Sequence, residues 1–110
     1  MISYHGRLFR AVVTDGDGDV SGETIFRYDQ RGDTLLASYS GGDIDFGSIV
    51  GRVNTDGSLT FLYHHRTKGG ALRSGHCDST PVVLPSGKLR LHERWQWHGG
   101  ESGTSVLEEL

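Results

Sequence analysis

The chain has 110 residues and a net charge of −3, with 35% of its side chains hydrophobic and 23% charged. These proportions fit one folded domain spanning 1–110 and exclude a disordered chain. A single cysteine, Cys77, excludes an internal disulfide framework, a thiolate zinc site and a CxxC redox pair. No apolar run approaches the ~20 residues that cross a bilayer, and Met1 to Arg7 lacks the apolar core of a signal peptide, so a soluble, cytoplasmic protein without a membrane partner is expected.

Glycine is the abnormal component: 17 residues, roughly double the usual share of about 7%. A first strand is expected over Ser3 to Val13, followed by a longer acidic loop, Asp15 to Gly22. Runs rich in β-branched and aromatic residues come next: Thr24 to Tyr28, Thr34 to Tyr39, Leu59 to Tyr63 and Leu89 to Trp97. They are punctuated by Arg31-Gly32, Gly41-Gly42, Asp56-Gly57, Gly69-Gly70, Ser86-Gly87 and Gly99-Gly100. Such dipeptides are hairpin signals, because glycine reaches the positive φ that short loops require. A last strand is expected over Thr104 to Glu109. No window keeps a helical apolar period, so the chain reads as all-β: an eight-stranded antiparallel up-and-down meander, closed into a barrel that leaves no exposed edge.

If each dipeptide is a two-residue loop, the registers follow. Tyr28 then faces Leu35, Tyr39 faces Ile44, Val50 faces Tyr63, Tyr63 faces His76 and Asp78 faces Trp95. The predicted inner face carries Phe26, Tyr28, Leu35, Ala37, Tyr39, Ile44, Phe46, Val50, Leu59, Phe61, Tyr63, Leu72, Val82, Leu91, Trp95 and Trp97. Ile49, Gly51, Arg73 and Cys77 fall outside. One barrel end is predicted to be plugged by Leu35, Val50, Leu59, Val82 and Leu89. The other, beside the acidic loop, forms a polar-aromatic mouth.

The expected pocket residues are Tyr39, Tyr63, His65, His76, Asp78, Glu93, Trp95 and Trp97. An inward carboxylate is expensive unless it is paired, hydrated, protonated or facing a ligand. The group therefore reads either as an internal polar network holding register or as a cavity for a small molecule, the leading expectation. The enzyme alternative is a lyase or isomerase with Glu93 and His76 as catalytic acid–base pair. His65 and His76, with Asp78 or Glu93, are the best candidates for metal ligands, but the spacing is weak and neither metal nor cofactor is expected.

Two local strings lead nowhere. Asp15-Gly16-Asp17-Gly18-Asp19 starts like a calcium loop but has Val20 at the glycine position and Phe26 at the glutamate position. Arg66-Thr67-Lys68-Gly69-Gly70-Ala71 matches an acyl-CoA-binding loop but precedes a strand instead of a helix. Residues 60–98 hold six basic and two acidic side chains. They predict an outer wall of His64, Arg66, Arg73, Arg90, His92 and Arg94, an alternative interaction surface for an acidic partner. It lacks interleaved aromatics, so nucleic acid is not expected. Outward Ile25, Leu36, Ile49, Val53 and Leu62 suggest a homo-oligomer contact on the wall of strands two to five.

Four segments carry a resemblance: Tyr4-His5-Gly6-Arg7, Tyr39-Ser40-Gly41-Gly42-Asp43-Ile44, Tyr63-His64-His65 and Arg90-Leu91-His92-Glu93-Arg94-Trp95-Gln96-Trp97. With the final Glu108-Glu109 they resemble, over nearly the whole chain, a family of small bacterial proteins often described as N-acetylglutamate synthases. An acetyltransferase needs a helix-backed pyrophosphate loop and an acyl-CoA groove, which eight short strands do not supply, so that activity is not expected. In its meander the family is similar to avidin and the wider calycin, lipocalin-like barrels. The resemblance implies their architecture; avidin's ligand contacts have no residue-by-residue counterpart in this sequence.

Overall fold

The computed structural model describes residues 2–16 and 18–110. Eight strands follow in chain order: β1 (Leu8–Asp15), β2 (Ile25–Arg31), β3 (Thr34–Gly41), β4 (Ile44–Val53), β5 (Leu59–Thr67), β6 (Leu72–Val83), β7 (Leu89–Trp97) and β8 (Ser102–Glu109). Each is antiparallel to the next, and β8 pairs back onto β1, so the sheet closes into a barrel. This is the all-β up-and-down architecture expected from the turn spacing.

Turn chemistry decides which side chains enter the barrel. The β2–β3 loop is Gly32-Asp33, one residue later than expected. Pairing slides by two, so the inner face is kept and Phe26 meets Tyr39. The next hairpin has a two-residue loop, Gly42-Asp43, but a bulge follows: Asp45 and Phe46 both point out between inward Ile44 and Gly47. An extra residue in one strand reverses every side chain after it.

The β4–β5 loop has three residues. Gly57 N donates to Asn54 O at 2.9 Å and Asn54 N donates to Ser58 O at 2.8 Å, a type I turn followed by a left-handed residue, Gly57 at φ +88°. Gly70 closes the β5–β6 loop and Gly87 the β6–β7 loop with the same bonding pattern. An odd loop reverses the next strand relative to a two-residue one. With the bulge, four reversals occur in succession, so β5 and β7 present the predicted faces while most of β4 and all of β6 present the opposite ones.

The corrections follow from that parity. Phe46, Val50, Leu72 and Val82 lie on the exposed outer wall, and Ile49 and Cys77 are buried inside. Tyr63 faces Gly75 instead of His76, and Trp95 faces Cys77 instead of Asp78. The strand expected over Ser3 to Val13 starts only at Leu8. The preceding segment crosses the closed end, where buried Tyr4 donates from Oη to Gly57 O at 2.5 Å and from its backbone N–H to Gln30 Oε1 at 2.9 Å. Leu35, Leu59 and Leu89 plug that end as expected; Val50 and Val82 take no part.

Inside, aromatic residues face glycines directly across strand pairs: Tyr39 opposite Gly47, Phe61 opposite Gly51, Tyr63 opposite Gly75 and Trp95 opposite Gly103. A Cβ on Gly47 would lie 2.3 Å from the Tyr39 ring, and one on Gly103 2.4 Å from the Trp95 ring. The missing side chains let large rings lie over the neighbouring strand of a narrow barrel. At Gly75 an added Cβ would meet Gln96 O at 2.2 Å and Tyr63 Oη at 2.4 Å. Backbone on one side and a buried ring on the other leave no easy relief. Gly75→Ala should destabilise the fold by about 1–3 kcal/mol, read as a lowered urea midpoint with an unchanged slope.

Candidate functional site

Beneath the loop that joins β1 to β2, the barrel encloses a cavity of about 50 Å³ lined by side chains from β2 to β8 and by Gly18, Asp19 and Val20 of the loop. That volume holds a few water molecules or one compact polar group. Its walls are aromatic: Phe26, Tyr39, Phe61, Tyr63, Trp95 and Trp97, with Ile49, Cys77 and Ser105 between them. The rings brace one another, Tyr63 edge-on to Trp97 at 5.3 Å between centroids and Trp95 tilted against Trp97 at 5.7 Å.

A charged strap crosses the mouth. Asp19 reaches down from the loop and takes two donors, His65 Nε2 at 2.8 Å and Arg73 Nη1 at 2.9 Å. The other nitrogen of His65, Nδ1, accepts from the Tyr39 hydroxyl at 2.8 Å. That arrangement is satisfied by the neutral Nε2–H tautomer. Burial lowers the His65 pKa, and the bond to Asp19 opposes the shift. The Arg73 guanidinium also sits 3.9 Å above the Trp97 ring, a stacking contact that fixes the arginine over the opening.

Deeper in the barrel lies a carboxyl of another kind. Glu93 points inward from β7 and is buried, and its Oε2 has no hydrogen-bond partner. Burial pushes its pKa up to about 8, with Ser79, directly across the strand pair, holding it back slightly. The Ser79 hydroxyl stops short of a hydrogen bond and is itself unpartnered, as are the Tyr28 and Tyr63 hydroxyls. Trp95, by contrast, is satisfied, donating from Nε1 to Ser105 Oγ at 2.9 Å.

Of the side chains expected in the pocket, Tyr39, Tyr63, His65, Glu93, Trp95 and Trp97 line one cavity. His76 and Asp78 do not. Both are exposed on the outer wall, where the His76 ring lies 6.1 Å from that of His98 and Asp78 accepts from the Thr60 hydroxyl at 3.1 Å. Glu93 and His76 therefore cannot act as an acid–base pair in one cavity, and the His65–His76 metal pair is broken. The odd loop at Gly70 is the cause in each case. Among the described residues, no three His, Cys, Asp or Glu side chains are grouped to hold a metal. Asp17 of the calcium-like string lies outside the described residues; Asp19 of that string belongs to the strap.

The sequence reading missed Asp19, Arg73, Cys77, Ser79 and Ser105. A glycine at the third position of a three-residue loop would have turned β6 inward-side out and revealed Arg73, Cys77 and Ser79. No local signal marks Asp19, whose partners come from strands 46 and 54 residues away.

The fold and site define a small closed up-and-down β-barrel with an aromatic interior open at one end. A profile of the avidin-like protein family matches residues 2–110, nearly the whole chain, and the chain belongs to that family. No curated protein and no solved structure matches it significantly.

The raised pKa of Glu93 has a consequence for stability. The unfolded carboxyl ionises near 4.5, whereas the folded one keeps its proton up to about 8. Stability is therefore undiminished below the first value and falls as pH rises toward the second. Glu93→Gln, which is neutral at every pH, should gain a few kcal/mol over wild type at neutral pH, and the difference should vanish below about pH 4.5. Parallel urea titrations of the two proteins across that range measure it.

Proposed function

We propose that the protein binds a small molecule inside the barrel, entering between the β1–β2 loop and the turns that join β3 to β4, β5 to β6 and β7 to β8, and that it does so without catalysis. The observation that carries this reading is the unfinished polar interior. Among the described residues, four buried side-chain oxygens, on Tyr28, Tyr63, Ser79 and Glu93, lack protein partners, each at a desolvation cost of about 1–3 kcal/mol. A core selected for stability alone would have replaced or paired them. Membership of the avidin-like family supports the architecture of such a site.

The alternatives lose support. A lyase or isomerase built on Glu93 and His76 has its two groups on opposite faces of the sheet. The outer basic wall has lost Arg73 to the mouth, Arg66 is paired with Asp45 at 2.8 Å, and Arg90 with Glu108 at 2.9 Å. These pairings reduce the unbalanced charge that the wall offers a polyanion.

The test is tryptophan fluorescence during a metabolite screen, because Trp95 and Trp97 form the cavity wall. A true ligand should give a saturable change that Cys77→Leu, which fills the cavity from its side, abolishes while circular dichroism stays native. A saturable response insensitive to that filling would place binding elsewhere and end the reading.

For assembly, Leu36, Val50 and Leu62 pair in one row across β3, β4 and β5, with Val50 and Leu62 about half exposed. In this reading a second copy covers the row. Ile49, expected there, is inside the barrel instead. Sedimentation equilibrium should give a multimer for wild type and a monomer for the Val50→Glu, Leu62→Glu double variant.

A further inference from the structure

The cavity's unmet hydrogen-bonding capacity is all oxygen. Trp95 spends its N–H on Ser105, and His65 spends its N–H on Asp19. Among the described residues, what is left in or beside the cavity is the Glu93 carboxyl and the Tyr63 and Ser79 hydroxyls, each at least nine-tenths buried. Glu93 and Tyr63 line the cavity itself; Ser79 faces Glu93 across the strand pair. Once ionised, the Glu93 carboxylate only accepts, and each hydroxyl can accept as well, so a ligand that brings donors completes this floor. The remaining surface is aromatic, and ring faces attract positive charge. Arg73 is engaged at the mouth with Asp19 and Trp97.

We infer that the ligand carries a compact organic cation of the amidinium or guanidinium class, whose N–H groups meet Glu93 while the Tyr63, Trp95 and Trp97 rings surround its charge. This rests on the ligand-binding reading above and specifies the ligand's chemistry. A cavity of about 50 Å³ admits such a head group, a central carbon with two or three nitrogens, and leaves the rest of the ligand in the mouth. A planar fork of parallel N–H groups matches a carboxylate in two hydrogen bonds at once.

Proton balance gives the inference a signature. To pair with a cation, Glu93 must release its proton to solvent. The groups facing it are Cys77 on β6, Tyr28 on β2, Tyr39 on β3 and Tyr63 on β5, and burial pushes every one of them upward, so they stay neutral beside it. His65, Asp19 and Arg73 stand at the mouth. With the carboxyl titrating near 8, the ionised fraction, and with it the cation's affinity, rises about tenfold between about pH 7 and pH 9. A neutral ligand that accepts the Glu93 proton as a hydrogen bond shows the opposite trend.

The experiment compares acetamidinium chloride with its neutral isostere acetamide, following the indole N–H signals of Trp95 and Trp97 by NMR at ionic strength matched with sodium chloride. Acetamidinium should bind the tighter, strengthen about tenfold over that pH interval, and lose both the preference and the pH dependence in Glu93→Gln. Its shifts should vanish in Cys77→Leu. If acetamide binds as tightly or tighter in wild type, the cation inference falls and the binding cavity stands. If neither probe moves the tryptophans, or the shifts survive in Cys77→Leu, the inference and the cavity reading fall together.

Discussion

Closure of the sheet is the constraint on which everything else depends. Once β8 hydrogen-bonds to β1 there is one inside and one outside, and every residue in a strand belongs to one or the other by the parity of its position. Eight strands give an interior only wide enough to be filled by side chains or to hold one small ligand. This chain fills most of it with rings, and the rings fit because the residue opposite is repeatedly glycine. The glycine excess thus has two physical origins: left-handed loop positions such as Gly57, and inward positions such as Gly75, where a neighbouring strand's aromatic ring occupies the place of the missing side chain. A moderate hydrophobic fraction suffices because only one narrow face needs to be apolar.

Parity also explains what could be read from the sequence. Strand number, order and closure depend on where turns fall, and turn residues announce themselves locally. The inner face depends on whether each loop has an even or odd number of residues, and an Asp-Gly or Gly-Gly pair serves both kinds. It can be the middle of a two-residue loop or the last two of three. The bulge at Asp45 and Phe46 has no local marker at all, since Phe46 looks like a core residue and is more than half exposed. β5 and β7 kept their faces because reversals compensate in pairs, which is why Tyr63, His65, Glu93, Trp95 and Trp97 were legible as a group. β6 sits between two odd loops. There His76 and Asp78 exchanged places with Gly75, Cys77 and Ser79.

The polar groups inside the barrel divide by depth into two electrostatic regimes. At the mouth, Asp19, His65, Tyr39 and Arg73 form a chain in which each partner is matched, with Asp19 still partly in contact with water. His65 bears a desolvation cost that its bonds to Asp19 and Tyr39 offset, while the partly exposed Asp19–Arg73 pair closes the opening. At the floor, Glu93 Oε2 has no protein partner among the described residues, and burial favours the neutral acid. Of the two, only the floor holds a standing imbalance that a bound molecule could relieve.

That imbalance separates stability from function in this fold. An apolar residue at position 93, with the hydroxyls of Tyr28 and Tyr63 removed, would pack the same barrel without orphaned oxygens and by general rule more stably. The chain instead places a carboxyl at the centre of β7, between Leu91, completely buried, and Trp95, whose ring lies over Gly103. Close packing on both sides holds the carboxyl in place, so the groups stand oriented before any ligand arrives, which lowers the ordering cost of binding. Destabilising polar groups held by a stiff, close-packed frame are what a preorganised binding floor requires.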